Sequence, residues 1–268
     1  MTLVPGQRYA SFDGDADRIV YYYATAQGEF RLLDGDKIAG LVAGFIRELV
    51  KAEGLKAEVG VVQTAYANGA STEYLANVLK VPVTCTKTGV KHLHHAALNY
   101  DVGVYFEANG HGTVLFSPAT LAAIAASASA SLHALVALIN QTVGDALSDM
   151  LLVETVLLHR QWSPAQWDAA YADLPNRLVR VFVQDRTAFE TADAERRVVQ
   201  PEGLQARVDE EVSRVAKGRS FLRASGTEDC VRVYAEAATR EAADALAQAV
   251  AGLVFEGHGK GERPAVFN

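Results

Sequence analysis

Four short stretches of this sequence carry residue types that can do chemistry. The first is Asp13-Gly14-Asp15-Ala16-Asp17-Arg18, three carboxylates at alternate positions between two apolar runs. Three negative charges in one turn repel unless a cation sits among them, and hard oxygen ligands suit Mg²⁺ or a similar ion. An EF-hand would need Gly at loop position six and Glu at position twelve. Counted from Asp13 those places hold Arg18 and Ala24, which excludes it. A haloacid-type phosphatase also has two aspartates after a strand, but with Thr or Val close behind the second. An acidic surface turn is the inert alternative. The second stretch is Arg223-Ala224-Ser225-Gly226-Thr227-Glu228-Asp229, with Arg232 beyond it. A glycine lets backbone N–H groups turn toward an anion, hydroxyls donate, and a guanidinium pairs with phosphate through two N–H bonds. A tight hairpin turn explains the same residues equally well.

The third stretch is Glu107-Ala108-Asn109-Gly110-His111, at the C-terminal end of a predicted strand, where α/β sheets collect ligands. Glu107 and Asn109 together can accept from and donate to sugar hydroxyls. An ordinary strand-end loop is the plain alternative. The fourth is Thr86-Lys87-Thr88-Gly89-Val90-Lys91-His92-Leu93-His94-His95. His92 and His95 would share a helical face, but no acidic residue or cysteine completes a zinc set nearby. A basic loop meeting a phosphorylated ligand is the better expectation.

The elements that must hold these stretches follow from periodicity. Tyr9–Phe12 and Arg18–Ala24 read as strands, the latter β-branched and aromatic. Ile38, Leu41, Val42, Phe45, Ile46, Leu49 and Val50 form one helical stripe, with Asp34 or Asp36 as N-cap and Gly54 as end. Strands are predicted at 58–63, 81–85 and 101–107, and helices at 71–80 and 90–99. Strands alternating with helices imply βαβ units and a mainly parallel sheet. A long helical region is predicted over 118–159, and Ser163-Pro164 starts another helix. Beyond a boundary at 160–176 the order becomes strand 178–183, helix 201–215, strands 220–223 and 231–237, helix 240–255. The predicted fold class is therefore α/β, a mainly parallel sheet domain with flanking helices, followed by a smaller α+β domain.

Bulk properties narrow the partners. The 268 residues are 50% hydrophobic and 21% charged, an ordinary globular balance, with a net charge of −7. An acidic protein with no basic stripe is a poor partner for nucleic acid. Cys85 and Cys230 form no CxxC pair, which suits a reduced cytoplasmic protein. Met1–Tyr9 is too short and polar for a signal peptide. Residues 121–139 lack charge, but their Ala and Ser drive membrane insertion weakly, so a water-facing Ala-rich helix is expected and no membrane partner.

Taken together, the strings FDGDADRIVYYY, QTAYANGAST, CTKTGVKHLHH, YFEANGHGT, DLPNR and SGTEDCVRVYAEA resemble, in order, the phosphoacetylglucosamine mutase branch of the α-D-phosphohexomutase superfamily. The resemblance implies residues 1–30 as the edge of a second domain with the metal loop. It implies 31–160 as a third domain with the sugar loop, and 170–268 as a fourth with the phosphate loop. It further implies Mg²⁺ on Asp13, Asp15 and Asp17, and ring hydroxyls on Glu107 and Asn109. Phosphate would lie on Arg223, Ser225, Gly226, Thr227 and Arg232, with Arg18 and Lys91 as supporting cations. The expected substrate is an N-acetylglucosamine phosphate, isomerised between its 6- and 1-phosphates through a phosphoserine and a bisphosphate. Two departures stand out. Ala224 replaces the family's proline, leaving the loop less stiffened. No Thr-Ala-Ser-His-Asn-like serine loop occurs in these 268 residues, so the chain alone is expected to lack turnover. A phosphosugar-binding or regulatory protein without turnover is the rival expectation.

Overall fold

The computed structural model describes residues 2–264. Described residues up to Ala172, apart from Thr86–Thr88, form one compact unit; that short segment and the residues from Asp173 onward form a second.

The first unit opens with an antiparallel sheet of β1 (Arg8–Phe12), β2 (Ile19–Ala24) and β3 (Phe30–Leu33), with β2 central. In β2, Ile19, Tyr21 and Tyr23 alternate inward, and Tyr21 meets the buried Trp167 edge-on at 5.4 Å between ring centres. These inward residues join the main core, so residues 2–30 belong to the first unit. Helix α1 (Gly35–Ala52) follows, with Asp34 as its N-cap, accepting from the Asp36 and Lys37 amides.

β4 (Val59–Thr64) leads to α2 (Gly69–Glu73), which passes into a single π-helical turn at Tyr74–Val78. The helix predicted over 71–80 is therefore shifted two residues toward the N-terminus and changes pitch at Tyr74. β5 (Val83–Thr86), α3 (Val90–Ala97), β6 (Val102–Phe106) and β7 (Gly112–Phe116) complete a sheet of order β5-β4-β6-β7. β4 and β6 are parallel, while β6 and the unpredicted β7 are antiparallel, joined by the loop Glu107–His111. Both faces are covered. Val59, Val61, Val102 and Val104 face the core of α1; Val62, Tyr105 and Leu115 face Leu93 and Ala97 of α3. A strand covered on both sides reads as an unbroken apolar run, which is how β4 and β6 look in sequence.

The long helical region predicted over 118–159 consists of α4 (Pro118–Ala126), α5 (Ala130–Leu138) and α6 (Ala146–Arg160), followed by α7 (Pro164–Asp168). Short polar side chains break it. Ser129 caps α5, Asp145 caps α6, and Asn140 Oδ1 accepts from the Thr142 and Val143 amides. Such side chains offer the backbone an alternative to the helical ladder. Among the described residues no helix is long and apolar enough to cross a membrane.

The second unit has β8 (Asn176–Phe182), a hairpin of β9 (Glu190–Ala192) and β10 (Arg197–Gln200), α8 (Leu204–Ser213), β11 (Arg219–Ala224), β12 (Cys230–Glu236) and α9 (Arg240–His258). Its main sheet runs β11-β12-β8, antiparallel throughout. One face, with Val179, Val181, Leu222, Val231 and Val233, is buried under Val208 of α8 and Leu246 and Val250 of α9. The alternate residues of those strands occupy the other face. The β9–β10 hairpin was absent from the sequence reading.

Candidate active site

The first unit positions the acidic loop between β1 and β2. Asp13 Oδ1 accepts from the amides of Asp17 and Arg18, both at 3.2 Å, and Ala16 turns the chain with φ of 56°. The Ala146 amide, at the start of α6, donates to Ala16 O at 3.0 Å and holds the loop from outside. In this geometry Asp13, Asp15 and Asp17 each place one carboxylate oxygen within 4.8 Å of the others. Arg18 Nε lies 3.6 Å from both Asp13 and Asp17, so one guanidinium offsets part of the charge of the three carboxylates. Burial opposes ionisation of Asp13, but the Arg18 and Asp17 amides hold its carboxyl below the usual carboxylate range. Asp17 Oδ1 is buried without a hydrogen-bond partner. Converging oxygens with an unsatisfied lone pair fit a hard divalent cation such as Mg²⁺. Among the described residues this is the only cluster of three potential ligands. Among the described residues His92 and His95 belong to no such cluster.

The Glu107–His111 loop abuts the acidic one. The Ile19 amide donates to Gly110 O at 3.2 Å, and the Gly35 amide to Ala108 O at 3.2 Å. Contact is so close that a Cβ on Gly110, whose φ is 88°, would lie 1.8 Å from Ile19 O. A Cβ on Gly35 would lie 1.8 Å from Glu107 O. Glu107 and Asn109 are already engaged. Glu107 accepts from the Gly89 amide at 3.2 Å and from Asn109 Nδ2 at 3.3 Å, and Asn109 Oδ1 accepts from the His111 amide at 2.9 Å. They are thus held in place, with lone pairs and one amide proton left for a ligand. His111, which the sequence reading assigned no role, brings Nδ1 within 3.1 Å of Asp17 Oδ2. A cleft of about 530 Å³ opens beside the pair, lined by Asp17, Lys91, His94, Tyr105, His111 and Gly144 among others. Lys91 and Asp17 thus line the same cleft.

In the second unit the RASGTED stretch joins β11 to β12. Ser225 is buried, and its hydroxyl oxygen accepts from the amides of Thr227 (3.4 Å) and Glu228 (3.3 Å). It caps the turn and keeps its proton to donate to a ligand. Gly226 has no positive φ and faces open space, so no backbone strain demands a glycine there. Arg223 Nε donates to Glu195 Oε1 at 3.1 Å, and Glu195 Oε2 accepts from the Thr88 amide and hydroxyl at 2.9 and 2.5 Å. Burial works against the Glu195 carboxylate, but the Thr88 donors and Arg223 hold its pKa below the ordinary value. Glu195 sits in the β9–β10 turn, 28 residues from Arg223, and only tertiary contact reveals it.

Comparison with known proteins matches both units. Residues 34–162 match the family model for phosphoacetylglucosamine mutase AMG1, domain III, and 178–253 that for the phosphoglucomutase/phosphomannomutase C-terminal domain. The chain is 54% identical to a Mus musculus phosphoacetylglucosamine mutase over 97% of its own length and 50% of the relative's. It is also 54% identical to Schizosaccharomyces pombe phosphoacetylglucosamine mutase 1 over 94% of its length and 50% of the relative's. The crystal structure of Aspergillus fumigatus N-acetylphosphoglucosamine mutase with GlcNAc-6P and magnesium superposes with a TM-score of 0.93. It is 57% identical, covering 96% of this chain and 50% of that one. The chain thus spans about half the length of the curated relatives it matches.

Proposed function

Since this chain belongs to the phosphoacetylglucosamine mutase family of the α-D-phosphohexomutase superfamily, we propose that it supplies the metal-, sugar- and phosphate-binding elements of an enzyme interconverting N-acetylglucosamine 6-phosphate and 1-phosphate. The observation that carries this reading is the convergence of the Asp13-Asp15-Asp17 oxygens next to the Gly110-clamped loop bearing Glu107 and Asn109. Bound on those aspartates, Mg²⁺ would neutralise charge on a transferring phosphoryl group. Arg18 offsets part of the carboxylate charge, and Lys91 offers the cleft a cation. Glu107 accepts and Asn109 donates to ring hydroxyls, a pair able to grip the sugar in either orientation. Arg223, Ser225, Gly226, Thr227 and Arg232 hold the phosphate that is not reacting. The partner is this small anion rather than nucleic acid or membrane. Cys85 and Cys230, neither in a disulfide, support a cytoplasmic setting.

The reading is tested by titrating the full chain with N-acetylglucosamine 6-phosphate and following amide shifts. Shifts are expected at 107–111 and 223–232, and their absence from both loops would defeat it. Arg223→Ala is expected to weaken binding roughly tenfold to a hundredfold, the worth of a charge-assisted hydrogen bond. Arg223→Lys should recover little, lacking the two-pronged donor face.

Mg²⁺ affinity tests the carboxylates separately. By calorimetry, Asp15→Asn is expected to bind Mg²⁺ roughly tenfold more weakly than the parent, because a formal charge leaves the ligand set. Equal binding would remove these side chains from the metal site. Turnover is a third measurement. With substrate, Mg²⁺ and a bisphosphate activator, the 268-residue chain is expected to form no product, since it carries no serine-loop nucleophile for the covalent relay. Clear product formation would contradict this.

A further inference from the structure

The strand register of the second unit sets three arginines side by side. Arg223 of β11 is directly opposite Arg232 of β12, and Arg232 is directly opposite Arg180 of β8. Directly opposed residues of antiparallel strands share a face, about 5 Å apart at Cβ, and like charges there repel. The row lies on the sheet face away from α8 and α9, because its neighbours Val179, Val181, Leu222, Val231 and Val233 point into the helical core. Two of the cations are balanced. Arg223 pairs with Glu195, and Arg180 lies 3.5 Å from Glu228 Oε2 with both side chains half exposed. Arg232, half-buried in the middle, makes no ion pair or side-chain hydrogen bond with any described residue. An anion over this row would relieve the repulsion among the three guanidinium groups.

We infer that Arg180 is a third phosphate-contacting cation, so that the phosphate shelf extends beyond the RASGT turn across all three strands. The inference rests on the phosphate-binding reading of that turn and adds a residue outside its motif. Phe182, two positions along β8, keeps the Arg180 guanidinium 4.7 Å from its ring centre and so close to the sheet. The Arg180–Glu228 pair is long and solvent-screened, and pairs of that kind contribute little, so a phosphate dianion can displace it. Glu228 then acts as an internal competitor for the shelf.

The experiment titrates the full chain with inorganic phosphate and with N-acetylglucosamine 6-phosphate, using Arg180→Ala, Glu228→Gln and Arg232→Ala. Arg180→Ala is expected to weaken both ligands roughly three- to tenfold, a charge-assisted contact discounted for exposure. Glu228→Gln is expected to tighten both, by releasing Arg180. An unchanged thermal midpoint for Arg180→Ala shows that the loss is not misfolding. If Arg180→Ala and Glu228→Gln both bind like the parent while Arg232→Ala is weakened, the inference fails and the phosphate reading stands. If all three bind like the parent, both fail.

Discussion

Gly110→Ala is expected to destabilise the first unit by about 3–5 kcal/mol, combining a left-handed backbone penalty with a steric overlap that forces backbone to move. Gly110 has φ of 88°, and the new methyl would fall 1.8 Å from Ile19 O, well inside contact distance. That oxygen belongs to backbone, not to a flexible side-chain tip, so β2 or the loop must shift. Ile19 directly follows the acidic loop, and its amide bonds Gly110 O. The shift therefore spreads the Asp13-Asp15-Asp17 oxygens, and Mg²⁺ affinity should fall together with stability. Denaturant unfolding and calorimetry on the same variant check both effects. A loss below about 1 kcal/mol would mean that the two loops are not clamped as described.

Asp149→Asn is expected to have the opposite sign and stabilise the protein at neutral pH. Asp149 lies on α6, 3% exposed, with one carboxylate oxygen buried and unpartnered. Burial, with Asp145 nearby, pushes its pKa up to about 8. An unfolded aspartate titrates near 3.9. Between about pH 4 and pH 8 the unfolded chain has therefore lost a proton that the folded chain keeps, and stability falls as pH rises through that window. At about 1.4 kcal/mol per pH unit the loss approaches, as an upper bound, roughly 5 kcal/mol by pH 8. Asn is neutral and nearly isosteric, so the variant should show a flatter stability profile over pH 5–8 and a higher midpoint at pH 7. A parent protein whose midpoint does not fall across that range would refute the buried neutral carboxyl.

What the sequence by itself determined is chemistry confined to a few consecutive residues. Alternating aspartates in one turn, a strand ending in Glu-Ala-Asn-Gly-His and an Arg-Ala-Ser-Gly-Thr turn are visible as strings. So are continuous apolar strands and the α1 stripe, because residue type and spacing alone govern them. Tertiary structure decided whatever depends on register or on chain returning from afar. The β9–β10 turn delivers Glu195 to Arg223 across 28 residues. Strand pairing aligns Arg180, Arg232 and Arg223, which no linear spacing announces. The breaks at Ser129 and Asp145 divided the long helical region into separate helices, because side-chain caps competed with a weakly patterned Ala-rich ladder. Gly110 and Gly35 are simple glycines in the string; only the 1.8 Å approach of a neighbouring carbonyl makes each irreplaceable. Local sequence sets which groups are available, whereas non-local backbone contacts set which of them meet, since those contacts answer to packing of the whole unit rather than to any one segment.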